Sequence, residues 1–204
     1  MRVLTIDTAT AAASVGLVDD GEVVGWEIVR AEHAAQQLVA AAERVLAAAG
    51  LAAADVGRIA IGCGPGSFTG LRIGVATGIG LADGLAVPAC GVGTLAALRA
   101  EAGPCSVAVV DARRGEVFAE GPGVELGAYA PQRLAATLAD GAVLIGDGAV
   151  RHRDLLAGRA VVPPDGSDLH VPGPAALAAL SSTGAPAAPI YVRAPDAIPA
   201  EERR

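Results

Sequence analysis

Between residues 62 and 74 the chain reads Gly-Cys-Gly-Pro-Gly-Ser-Phe-Thr-Gly-Leu-Arg-Ile-Gly. This run sits where an apolar strand turns into a helix. Glycines let the backbone take positive φ, and the unsatisfied N–H groups of a helix start attract anions. Ser67 and Thr69 have the side chains of N-caps, and Arg72 brings a cation that suits a phosphate or carboxylate. Gly66, Ser67, Thr69, Gly70 and Arg72 are therefore candidate anion contacts. The competing reading is a tight turn whose hydroxyls only cap the helix. The run is neither a Walker A loop, which needs a Gly-Lys pair, nor a G-x-S-x-G nucleophile elbow.

A second feature is Asp7-Thr8-Ala9-Thr10, at the end of the first apolar run. In actin-like enzymes an acidic residue and a small polar turn at such a point hold phosphate and metal. Those enzymes usually carry a glycine in the turn, and here the position is Thr or Ala. The structural alternative, an Asp that merely ties the turn together, is the favoured one. The three histidines, His33, His152 and His170, form no H-x-x-x-H or H-E-x-x-H pair, and no metal site is expected. Asp111 to Glu116 reads as a charged hairpin turn.

Composition narrows the chemistry further. All 15 basic residues are Arg, so Walker A, pyridoxal and Schiff-base mechanisms, which need a Lys, are excluded. The net charge of −7 argues against independent tRNA or DNA binding, which gains affinity from a basic face. Cys63, Cys90 and Cys105 have no C-x-x-C spacing, which favours a reducing cytosol over a disulfide framework. Neither long apolar stretch, 73–98 or 171–192, is a continuous membrane span, and the start meets Asp7 too soon for a signal peptide; a soluble, cytoplasmic protein is expected.

The elements that must hold these residues follow from the pattern. Strands are expected at 2–7, 11–18 and 22–29, the last two joined by the hairpin turn Asp19-Asp20-Gly21. A helix over 34–49 carries the stripe Leu38, Ala42, Val45, Leu46 and Ala49 and ends at Gly50. A strand at 58–62, the loop 63–70, a helix over 71–85, a strand or turn at 86–91 and a helix over 94–101 complete a first lobe, residues 1–102. After Gly103-Pro104 a hairpin begins again, followed by a helix at 131–139, a strand at 142–146, helices at 151–158 and 175–183, and a Pro-rich loop between them. This order predicts an α/β protein of two related lobes with mixed sheets flanked by helices. The second lobe, 103–204, reads as shortened, with one brief strand in 116–130.

The helix after the loop carries small residues at Gly70, Gly74, Gly78 and Ala82, each four apart. Such a stripe lets another backbone come close. Either it packs on the lobe's own sheet, or this helix and the preceding one present a face to a partner. The second reading makes Leu38, Val45, Leu71, Gly74, Val75, Gly78 and Ile79 the expected interface.

MRVLTIDTATAAASVGLVDDGEV, the His33 ahead of the first long helix, GCGPGSFTGLRIG, GVGTLAAL, VAVVDARRGEVF, GDGA and the tail PIYVR resemble the TsaB family, also called YeaZ. Its members are dimerization subunits of the bacterial tRNA threonylcarbamoyladenosine machinery, and the matches recur from residue 1 to about 195. One departure is Ala34, where the family commonly has a hydroxyl residue. The resemblance implies a two-lobed actin-like (ASKHA) fold. It also implies a non-catalytic role in placing threonylcarbamoyl on the adenosine beside the anticodon of tRNAs reading codons that begin with A. The implied partners are the catalytic paralog TsaD, which supplies the metal ligands, and the ATPase TsaE, with a homodimer when the chain is alone. tRNA is met only through the complex. No cofactor of its own is implied, and ATP or ADP is expected only at the interface with the paralog. The alternatives are a stand-alone actin-like kinase or hydrolase using Mg-ATP through Asp7, and an acyl hydrolase with Ser67 as nucleophile.

Overall fold

The computed structural model of this chain describes residues 1–30 and 34–193. Its first sheet begins with a meander of β1 (Arg2–Asp7), β2 (Ala13–Asp19) and β3 (Glu22–Val29). Asp20 and Gly21, at φ +48° and +92°, make the left-handed two-residue turn that Asp-Gly favours between β2 and β3. Helix α1 (Leu38–Ala48) leads to β4 (Arg58–Gly62), and α2 (Phe68–Leu85) leads to β5 (Ala89–Val92). The strand order is β3-β2-β1-β4-β5, antiparallel through the meander and parallel from β1 onward.

Helix α3 (Thr94–Ala102) then leads into a second sheet that repeats the same plan. Its meander is β6 (Ser106–Arg113), β7 (Glu116–Gly121) and β8 (Val124–Tyr129). After α4 (Pro131–Thr137), β9 (Val143–Ile145) pairs in parallel with β6, giving the order β8-β7-β6-β9. Two sheets built on one order, each flanked by helices, form the two-lobed actin-like architecture that the resemblance implies.

Small aliphatic side chains fill the space between layers, as the paucity of aromatics requires. One face of the first sheet packs Ile6, Val15, Leu17, Ile59 and Ile61 against Leu38, Val45 and Val75 of α1 and α2. Helix α3 lies between the sheets: Ala97 joins Val3, Ala60 and Val92, while Leu95 and Leu98 join Val110, Phe118 and Ile145.

Several boundaries differ from the sequence expectations. Residues 116–130 hold two strands, not one, because Gly123 at φ +72° lets the chain reverse after Gly121-Pro122. Among the described residues the second sheet is still one strand short, but at the far edge, where a single parallel bridge from Val161 to Val143 stands in the place of β5. The expected helix over 34–49 starts as a 3-10 turn, Ala34–Gln37, and the one over 151–158 is two pieces, α5 (Asp147–Arg151) and α6 (Arg153–Leu156), interrupted at His152. The chain also returns: α7 (Pro174–Leu180) packs on β1, β2 and α3, so residues 174–187 lie on the first sheet although the sequence assigns them to the second lobe. Their tail lines the edge of β5, where the Gly91 N–H donates to the Ala185 carbonyl at 2.8 Å.

The glycine stripe of α2 faces inward. A Cβ at Gly70 would overlap the Thr8 carbonyl, one at Gly74 the Thr8 hydroxyl, and one at Gly78 the Ile61 side chain. Gly80, on the other side of the same helix, has open space around it. Gly74→Ala is therefore expected to destabilise the fold by about 1–3 kcal/mol through overpacking. Gly80→Ala, which only removes backbone freedom from a helix interior, is expected to stabilise it by about 0.5–1 kcal/mol. Urea denaturation of the two variants beside the parent checks both signs.

Candidate functional site

At the mouth of the first lobe, β1 ends in Asp7, which is buried beneath the turn that follows it. One carboxylate oxygen, Oδ1, accepts the Ala9 N–H at 2.8 Å, and Oδ2 accepts the Thr94 hydroxyl at 2.6 Å. Thr94 opens α3, and its oxygen accepts the Gly64 N–H at 3.0 Å. This chain of bonds joins the β1 turn, the loop after β4 and the helix between the lobes. Gly62 must be glycine here, because a Cβ would fall on the Asp7 carboxylate.

The loop itself is shorter than the sequence suggests, since α2 begins at Phe68. Ser67 is the N-cap, its Oγ accepting the Gly70 N–H at 3.3 Å. Thr69 is exposed and lies two residues past the N-cap, inside the first turn of the helix. The Ser67 N–H donates to the Ala9 carbonyl at 2.8 Å, and the Thr8 hydroxyl donates to the Gly70 carbonyl at 2.7 Å. Neither Gly66 nor Gly70 has a positive φ; each needs the absence of a Cβ, which would overlap the carbonyls of Ala9 and Thr8. Among the described residues Arg72 pairs with no acid. Its guanidinium lies 3.8 Å over the Phe68 ring, and its Nε donates to the Tyr191 hydroxyl at 3.2 Å. The five candidate anion contacts are thus brought together, but by packing on the Asp7–Thr10 turn and the tail.

The expected interface residues are placed differently. Leu38, Val45, Leu71, Gly74, Val75 and Gly78 are buried in the chain's own first lobe, and Ile79 is half-buried. The structural reading of the small-residue stripe prevails, because the close approach is to β1 and β4. His33 lies outside the described residues.

Sequence reasoning passed over Thr94 and Asp147. Asp147 follows β9 in the Gly-Asp-Gly step, and its carboxylate spans the lobes. Oδ2 accepts the Ala11 N–H of the first lobe at 2.8 Å, and Oδ1 accepts the Asp111 N–H of the second at 3.1 Å. Asp111 in turn pairs with Arg151 at 3.5 Å. Beside this contact lies an interlobe pocket of about 460 Å³ whose lining includes Thr10, Ala12, Arg30, Asp147, Arg151 and His170. The His170 Nδ1 accepts the Gly146 N–H at 3.1 Å, so its proton sits on Nε2, facing the Pro163 carbonyl at 3.2 Å. Among the described residues no group of three or more His, Cys, Asp or Glu side chains is placed to hold a metal ion, and no helix is long and apolar enough to cross a membrane.

Burial pushes the Asp7 carboxyl up to about 6, against the pull of the Thr94 hydroxyl and the Ala9 N–H, with the Asp147 charge adding to the rise. Burial likewise raises Asp147, opposed by the N–H groups of Asp111 and Ala11.

Comparison with known proteins places this geometry. Residues 27–130 match the family model described as TsaD, tRNA N6-adenosine threonylcarbamoyltransferase. The TsaB protein of Escherichia coli, a tRNA threonylcarbamoyladenosine biosynthesis protein, is 42% identical over 124 residues, which span 58% of this chain and 53% of that protein. An uncharacterized protein of Mycobacterium tuberculosis strain H37Rv is 37% identical across 97% of this chain and 94% of its own. The solved structure of YeaZ from Pseudomonas aeruginosa superposes with a TM-score of 0.72 at 27% identity, over 93% of this chain and 99% of that one. The chain belongs to the TsaB (YeaZ) family. Against the E. coli member it spans about half the relative's length, and against the mycobacterial member nearly all of it. The segments that carry the family resemblance include those that build the Asp7–Thr94 network, GCGPGSFTGLRIG and GVGTLAAL among them.

The folded chain holds a proton on Asp7 up to about pH 6, whereas the unfolded chain releases it near 3.8. Protons therefore favour the fold between these values, and the stability contributed by protonated Asp7 is lost as pH rises through about 6. Asp7→Asn is expected to flatten this part of the melting temperature profile between pH 4 and 6, leaving the share that belongs to Asp147. Thermal melts of parent and variant across that range test it, and parallel profiles would contradict the assignment.

Proposed function

We propose that this chain is a non-catalytic partner subunit in tRNA threonylcarbamoyladenosine biosynthesis. In this reading it supports a TsaD-type paralog that transfers threonylcarbamoyl to the adenosine beside the anticodon of tRNAs reading codons that begin with A. Family membership supports the pathway. The observation that carries the non-catalytic part is the use of the β1 turn. An actin-like enzyme presents backbone N–H groups there to phosphate, and here the Ala9 N–H is given to Asp7 and the Ala11 N–H to Asp147. The turn's carbonyl and hydroxyl groups are also taken, by Ser67 and Gly70. A phosphate would have to displace two carboxylates of the chain itself.

The same reading gives the remaining assignments. The partners are the paralog and a TsaE-type ATPase; the chain alone pairs with a second copy; ATP or ADP sits only at the interface with the paralog; the work is cytoplasmic. Because the net charge is −7 and no Lys is present, tRNA is held by the complex and not by this subunit alone.

Reconstituted transfer tests the proposal. Threonylcarbamoyl incorporation into tRNA should require this chain when the paralog and the ATPase are supplied, while the purified chain alone shows no ATPase or esterase turnover. Metal-dependent turnover by the chain alone, lost in Asp7→Ala, would establish the stand-alone kinase or hydrolase instead. Ser67→Ala, which removes an N-cap, should lower stability by about 0.5–2 kcal/mol and leave transfer intact at saturating subunit. Loss of transfer in a folded, assembled Ser67→Ala complex would make the loop catalytic.

A further inference from the structure

The chain contains two Phe, two Tyr and one Trp, and two of these rings meet on the surface. Phe68 and Tyr191 are 47% and 46% exposed, with centroids 5.6 Å apart and planes tilted by 40°. Arg72 completes the cluster: its guanidinium lies 3.8 Å over the Phe68 ring and its Nε donates to the Tyr191 hydroxyl. An Arg framed by exposed aromatic rings is the composition that dominates binding energy at protein interfaces.

Both sides of the cluster are anchored before any partner arrives. Phe68 and Arg72 stand on α2, whose first turns press against Thr8 and Ala9. Tyr191 follows Ile190, whose N–H donates to the Cys63 carbonyl at 2.7 Å. Little order remains to be imposed on binding. The electrostatics are unfinished, however. Arg2, Arg44, Arg99 and Arg193 each pair with a carboxylate, whereas Arg72 has none among the described residues. Tyr191 engages only its Nε, so the Nη1 and Nη2 pair, the fork that matches a carboxylate, has no partner among the described residues. Arg72 also sits near the start of α2, where the helix dipole opposes a cation and an incoming negative charge relieves it.

We infer that Phe68, Arg72 and Tyr191 form a docking clamp for a single Asp or Glu side chain of the paralog put forward above. The carboxylate lies across the two Nη donors of Arg72, and apolar groups beside it rest on the two rings. The inference rests on the partner-subunit reading and adds the chemistry of one contact. A nucleic acid suits the cluster less well. It draws its affinity from several phosphates at once, while this is one Arg on a chain of net charge −7, and the Phe68 face that would stack a base is already covered by the guanidinium.

Calorimetric titration of the paralog with the full chain tests the clamp, using the parent, R72A, R72K and F68L. R72A is expected to weaken binding about tenfold or more, and R72K nearly as much, since an ammonium cannot form the bidentate fork. F68L, which keeps the bulk but loses the ring, should weaken it several-fold. Melting temperatures of the free variants should stay close to the parent's, and binding of the parent should fall with added NaCl more steeply than that of R72A. Parent binding with R72A and F68L within about twofold of it would overturn the clamp and leave the partner reading standing. A parent chain that does not bind the paralog would overturn both. Undiminished paralog binding with weakened tRNA binding in R72A would assign the cluster to nucleic acid and overturn the proposal as well.

Discussion

The first lobe depends on direct backbone contact between the turn after β1 and the segment that runs from β4 into α2. Three glycines make it possible. Gly66 and Gly70 let the loop and the first turn of α2 lie against the carbonyls of Ala9 and Thr8, and Gly74 lets the helix continue down past the Thr8 side chain. With no Cβ between them, Ser67 and Ala9 bond through their backbones, and Thr8 reaches the Gly70 carbonyl. The buried Asp7 carboxylate then accepts from Ala9 on one side and Thr94 on the other, so that α3, and through it the second sheet, is registered against the same turn. A buried charge is costly unless its lone pairs are met, and the upward shift of Asp7 to about 6 records how far the site falls short of full compensation.

The interlobe region repeats this device with a second carboxylate. Asp147 reaches across from the end of β9 to the Ala11 N–H while accepting the Asp111 N–H of its own lobe. Glycines again permit the approach: a Cβ at Gly146 would overlap the Val109 carbonyl, and one at Gly148 would crowd Val110 and Asp111 at 2.7–2.9 Å. The two lobes share more than strand order. Each places a glycine at or just past the end of its parallel strand, Gly62 or Gly146, where a Cβ would block the close approach to the central strand or its carboxylate. The Ala9 and Ala11 amides of the β1 turn are thus bonded to the chain's own carboxylates, while α2 carries the exposed aromatic cluster at its start.

Much of this architecture could be read from residue order. The strands 2–7, 22–29 and 58–62 were marked by short stretches rich in Val, Leu and Ile, the two hairpins by Asp-Gly and Arg-Gly turns, and the end of α1 by Gly50 at φ +68°. Local chemistry sets such features, since a turn type or a cap needs only its own few residues. The absence of Lys, and with it the exclusion of Walker A and Schiff-base chemistry, is likewise a property of the sequence alone.

Tertiary structure decided what the glycine stripe faces. The spacing of Gly70, Gly74 and Gly78 says that a backbone comes close, but an identical stripe serves an internal sheet or a foreign helix, and only the position of Thr8 and Ile61 settles which. The same holds for Arg72. Its sequence neighbours suggest an anion, whereas its actual company, Phe68 one turn back and Tyr191 from the far end of the chain, exists only because the tail returns to the edge of β5. Asp147 and Thr94 were silent in the sequence for the same reason: the hydrogen bonds that give them meaning span 136 and 87 residues. Periodicity and turn chemistry report on neighbours in the chain, and these contacts are made between residues that only folding brings together.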